Sequence, residues 1–120
     1  LLMFIVPCKY NPLCLIEKTV ESIRKLYPTT KILVVDSNSD DKKYAKKLKK
    51  YDIIFADIKN PHYESGAFWY AVDKYKEDCY IVLQDSVILN KSIDEQINSD
   101  ELFYCFIIFR FYFSSCYSIL

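Results

Sequence analysis

The sequence predicts an α/β fold of three layers, a mostly parallel β-sheet with helices on both faces. Three observations carry that expectation. Short apolar runs without alternation recur at Leu2–Val6, Ile32–Val35, Ile53–Ala56 and Cys79–Leu83, the pattern of strands covered on both faces. Segments with helical spacing of apolar residues separate these runs, which gives the order β-α-β-α-β-α-β and right-handed crossovers. Two of the runs end in polar clusters, Asp36-Ser-Asn-Ser-Asp40-Asp41 and Gln84-Asp85-Ser86. Ligands of open α/β sheets bind outside the carboxyl ends of such strands.

The first strand is expected to end at Pro7, which lacks a backbone donor. Asn11-Pro12 reads as a helix start, with Asn11 as N-cap and Pro12 at the first helical position. Leu13, Ile16, Val20, Ile23 and Leu26 follow at helical spacing until Tyr27-Pro28 closes the helix. After the second strand, Ser39 or Asp40 is expected to cap a helix with a narrow stripe of Tyr44, Leu48 and Tyr51. The lysines at 42, 43, 46, 47, 49 and 50 form its solvated faces and favour its C-terminus. Asn60-Pro61 predicts a turn, and Glu64 or Ser65 a cap for a third helix whose inner face is Ala67, Phe68, Ala71, Val72 and Tyr75. Past the fourth strand Val87–Leu89 reads as extended, and Ser92 with Glu95 as a capping box.

The chain has 120 residues, room for one domain with a real core. It is 52% apolar and 27% charged with one glycine and four prolines, which indicates a globular chain. A formal net charge of zero gives no global attraction to nucleic acid or to an anionic membrane. The five cysteines have no C-x-x-C spacing and His62 is remote from all of them. Neither a zinc site nor a disulfide framework is therefore expected, but reduced cysteines in a cytoplasmic protein. Leu1–Val6 is too short, and lacks the basic flank, for a signal peptide.

Residues 1–100 are read as the α/β domain and 101–120 as an apolar aromatic tail. A membrane span needs ~20 apolar residues, and Arg110 in the middle of the tail argues against one. A buried strand or hairpin, or an aberrant end produced by a frame change or truncation, accounts for the tail instead.

In a parallel sheet Asp36 (with Ser37, Asn38, Asp40 and Asp41) and Asp85 (with Gln84 and Ser86) share one rim with Lys9, Tyr10 and Asn11. Their carboxylates are expected to open side by side onto one groove, suited to a ribose, a base edge or a divalent cation held by oxygens. Helix capping is the preferred reading for Asp40 and Asp41; for Asp36 and Asp85 capping and ligand binding both stay open. Asp36-x-Asn38-x-Asp40 fails as a calcium loop, because Asp41 and Lys47 stand where Gly and Glu are needed. With Gly66 the only glycine, neither a dinucleotide fingerprint nor a P-loop is present. Thiol catalysis by Cys8 or Cys14 lacks a nearby histidine base.

Pro7-Cys-Lys-Tyr10-Asn11, the helix with Ser22-Ile23, and the strand ending in Asp36-Ser-Asn-Ser39-Asp40 together resemble the opening of family-2 glycosyltransferases of the GT-A fold. Glu64-Ser-Gly66-Ala67 is similar to their later glycine-containing turn, and Tyr80–Leu89 occupies the place of their D-x-D strand. The resemblance covers roughly residues 4 to 95. It implies a nucleotide-diphospho-sugar donor, an unidentified acceptor, and a pocket comprising Pro7, Tyr10, Asn11, Asp36, Ser37, Gly66, Gln84 and Asp85. It also implies Mn²⁺ or Mg²⁺ at Asp85, beside the diphosphate. Two departures stand out: Gln84-Asp85-Ser86 has one acid where the family has two, and the residues from there to Leu120 do not match the family's acceptor half. A truncated fold that holds the donor half and transfers poorly is the resulting expectation. A non-catalytic module that binds through the aromatic tail, or another nucleotide-handling transferase, are the alternatives.

Overall fold

Four parallel strands, β1 (Leu2–Cys8), β2 (Lys31–Asp36), β3 (Ile54–Asp57) and β4 (Cys79–Val82), form one sheet in the order β3-β2-β1-β4. The structure, a computed structural model, describes residues 1–94 and 118–119. Helix α1 (Ile16–Leu26) joins β1 to β2. Helix α2 (Tyr44–Leu48), continued by a 3-10 turn at Lys49–Tyr51, joins β2 to β3, and α3 (Tyr63–Lys74) joins β3 to β4.

The unbroken apolar runs are explained by burial on both sheet faces. Phe4, Val6, Ile32, Val34, Ile81 and Leu83 pack with Ile16, Val20 and Ile23 of α1 and Tyr44 and Leu48 of α2. On the other face Met3, Ile5, Leu33, Val35 and Val82 pack with Ala67 and Ala71 of α3. Each fully buried aliphatic side chain contributes about 2 kcal/mol relative to exposure. The chain steps from β1 to β3 in one direction with α1 and α2 on one face. It then returns past β1 to β4 with α3 on the other, the change of face that crossovers of one hand require. The strand order therefore reverses beside β1, which places a switch point between the ends of β1 and β4.

Several local expectations are corrected. β1 does not stop at Pro7 but runs through it, pairing Pro7 with Val35 and Cys8 with Asp36. Ile5 accepts from the Leu83 N–H on the β4 side and Cys8 from the Ser37 N–H on the β2 side. By alternation the missing Pro7 donor points to the β4 side, beyond the last β1–β4 pair, Ile5 with Val82, so the ladder loses nothing. Helix α1 begins at Ile16 and not at Pro12. Asn11 instead closes a turn, its Oδ1 accepting from the Leu13 N–H (2.9 Å) and its carbonyl from Cys14 (3.0 Å). Neither Ser39 nor Asp40 caps α2, and neither Glu64 nor Ser65 caps α3; Ser39 Oγ accepts from the Tyr10 N–H, and Ser65 Oγ donates to the His62 carbonyl.

Ser22 Oγ, in mid-helix, donates to the Thr19 carbonyl (2.7 Å) and accepts from the Leu89 N–H (2.9 Å). It clips β5 (Ile88–Leu89) to α1, and β5 pairs in parallel with β6 (Ser118–Ile119). Cys8 and Cys14 are free thiols. Among the described residues no helix is long and apolar enough to cross a membrane. Most of the aromatic tail, and the Glu95 half of the capping box, lie outside the described residues.

Candidate functional site

The rim is built by strand register. Cys8, Asp36 and Asp57 stand at equivalent positions across β1, β2 and β3. Leu83 continues from β4 by bonding to the Ile5 carbonyl (2.9 Å), and a turn closed by the Val87 N–H on the Gln84 carbonyl (3.2 Å) carries Asp85. Asp36 and Asp85 thus share one margin of the sheet, as their positions at strand ends imply.

They do not open onto it alike. Asp36 is 0% exposed. Its Oδ1 accepts from the Tyr44 hydroxyl (2.7 Å) and its Oδ2 from the Ser39 N–H (2.9 Å), with Lys42 Nζ 3.8 Å away. Lys42 is anchored in turn on both oxygens of Asp57 (2.9 and 3.0 Å). Above this carboxylate Tyr10 stacks on Tyr44, with centroids 4.9 Å apart and planes within 3°, and its N–H donates to Ser39 Oγ (2.8 Å). The expected open groove at Asp36 is corrected: the loop after β2 folds back and closes over it.

Asp85 is half-buried. Burial raises its pKa, an effect opposed by hydrogen bonds from the Cys8 thiol, the Tyr63 hydroxyl and the backbone N–H groups of Lys9 and Asp85 itself. Among the described residues no Lys or Arg ion-pairs with it. Burial, then the charge of Asp85, then Cys14 push the Cys8 thiol far above its ordinary range. Tyr44 and Tyr63 are held neutral in the same way, by burial first, with Cys8 and Asp36 adding for Tyr44 and Asp85 and Cys8 for Tyr63. Tyr44 touches both Asp36 and Cys8, and Cys8 touches Asp85. The two strand-end acids are therefore linked through a hydroxyl and a thiol.

The other anticipated residues are distributed unevenly. Ser37 is buried, and its hydroxyl accepts from Asn60 Nδ2 (3.3 Å). Pro7 lies within β1, and Asn11 is exposed in its turn. Gly66 is not in a ligand-facing turn but in the first turn of α3. A Cβ there would stand 1.9 Å from Asn60 Oδ1. Asn60 in turn binds the His62 N–H (3.1 Å) and the Tyr63 carbonyl (2.7 Å), and Tyr63 has φ 47°, a costly conformation for an aromatic residue. Gly66 thus makes room for the residue that ties α3 to the end of β2.

Sequence reasoning missed Cys8, Cys14, Tyr44, Asn60, Asp57 and Tyr63 as parts of this rim. Asp57 had a signal, since Ile53-Ile-Phe-Ala-Asp57 repeats the pattern of an apolar run ending in an acid. The thiols had none. Cys8 Sγ, Cys14 Sγ and a carboxylate oxygen of Asp85 lie within 4.8 Å of one another. Mn²⁺ or Mg²⁺ wants several oxygen ligands. Asp85 offers one carboxylate and two sulfurs adjoin it, so these residues do not fit the all-oxygen site expected of them.

Residues 3–86 match the family model described as Glycosyl transferase family 2. No individual curated protein matches the chain.

Proposed function

The chain belongs to glycosyl transferase family 2, whose GT-A architecture the layered parallel sheet is compatible with, and from that premise we propose that its rim binds a nucleotide-diphosphate sugar donor. The observation that supports this most is the switch point beside β1, where the ends of β1 and β4 diverge with Tyr10, Ser37 and Asp85 around them. Tyr10 is half-buried and held flat by Tyr44 and Ser39, a preformed ring for a planar base. Asp36 acts by positioning, because it fixes both Tyr44 and the Ser39 loop on which Tyr10 rests. Lys9, exposed between Cys8 and Tyr10, is a cation available to the diphosphate. In glycosyl transfer the bond from the sugar anomeric carbon to the diphosphate oxygen breaks while an acceptor hydroxyl oxygen bonds to that carbon. The proposal covers the donor side of this exchange.

The test is calorimetry of the chain with UDP-, GDP- and CDP-sugars. One nucleotide class is expected to release heat, and Tyr10→Ala to weaken its binding about tenfold, the worth of one base–aromatic stack. No heat from any donor, or unchanged affinity in a folded Tyr10→Ala variant, overturns the reading.

A further inference from the structure

The geometry points to Cys8, Cys14 and Asp85 as a binding site for a thiolate-preferring divalent cation of the Zn²⁺ class, distinct from the oxygen-bound metal of the family and sharing only Asp85 with the proposed donor rim. Three features carry this. The three ligand atoms lie within 4.8 Å of one another. Tetrahedral Zn²⁺, with bonds of about 2.3 Å to sulfur and about 2.0 Å to oxygen, needs its ligands about 3.5–3.8 Å apart, a change within reach of side-chain rotation.

The second feature is charge. Asp85 is half-buried with no Lys or Arg paired to it among the described residues, while Asp36 on the same rim has Lys42 close by. A bound cation would supply the missing counter-charge, and a coordinating thiol gives up its proton to the solvent.

The third is the surrounding shell and the way in. Tyr63 and the Lys9 backbone lie beside Asp85, and Tyr44 beside Cys8, where outer partners that orient metal ligands are found. Cys14 is half-buried and borders an open cavity of about 380 Å³ along α1, so this ligand of the three is within reach of solvent. Two sulfurs and one carboxylate select Zn²⁺ over Mg²⁺ or Mn²⁺.

The full chain titrated with Co²⁺ as a spectroscopic probe tests this. The expected result is a thiolate-to-cobalt charge-transfer band that saturates at one equivalent, is displaced by Zn²⁺ and resists excess Mg²⁺. Cys14→Ser and Asp85→Asn, both at half-buried positions, are each expected to weaken Co²⁺ binding by more than about 100-fold, beyond the cost of losing an outer partner. Absence of the thiolate band, its displacement by Mg²⁺, or a band unchanged in either variant overturns the proposal. Donor calorimetry on Cys14→Ser, outside the proposed donor pocket, separates a failure here from a failure of the donor reading.

Discussion

Asp36 and Asp85 each follow an apolar strand and precede a serine, yet the first is sealed with both oxygens occupied while the second is half-buried beside two thiols. The difference lies in the path of the chain just after each strand. Beyond β2 the loop turns back, with Asn38 at φ 62°, and delivers the Ser39 N–H and the Tyr44 ring onto the carboxylate. Beyond β4 the turn at Gln84–Val87 leads away to β5, which is clipped to α1 by Ser22. An acid at a strand end is free to meet a ligand only where the following loop leaves it uncovered.

Three substitutions break or sharpen that contrast. The largest effect is expected from Asp36→Ala, which orphans the Tyr44 hydroxyl and the Ser39 N–H. Urea denaturation should show a loss of about 3 kcal/mol, and a loss below about 1 kcal/mol would mean that the closed loop is not held by this carboxylate. Next is Gly66→Ala, which drives a Cβ into Asn60 and so loosens the joint between α3 and the end of β2. About 2 kcal/mol is expected from such overpacking, and a neutral result would show that Asn60 moves aside freely.

The smallest effect is the pH dependence of Asp85→Asn. The carboxyl pKa is raised from 3.8 by burial, so its contribution to stability is full below 3.8 and is lost as pH rises through the raised value. Relative to wild type, Asp85→Asn should therefore gain stability as pH increases from 4 upward, read from denaturation midpoints in metal-free buffer. A stability difference that is flat with pH would mean that Asp85 is not desolvated as the fold implies.

Much of the architecture was legible because its signals are local. The apolar runs of β1 to β4 and the stripe Ile16, Val20 and Ile23 announce their own burial. The joint placement of Asp36 and Asp85 on one rim then follows from parallel strands alone. Helix starts were less legible, since Asn11, Ser39 and Ser65 carry capping chemistry but spend it on turns and on contacts from other elements. Gly66 was expected in the donor pocket, but its Cβ-free position makes room for Asn60, a reason that the resemblance does not reveal. Cys8, Cys14 and Asp85 were not legible as a group: two lie on either side of a proline-containing turn, and the third arrives in the turn after β4, the strand paired with β1.

The order of elements, the parallel sheet and the rim to which the acids belong were determined by the sequence itself, because periodicity and unbroken apolarity act over a few residues. Tertiary structure alone decided which acid is closed and which stays accessible, and which thiols stand beside it. Desolvation and hydrogen-bond closure depend on what packs against a group, and here those neighbours come from distant strands and from loops whose course local propensity does not set.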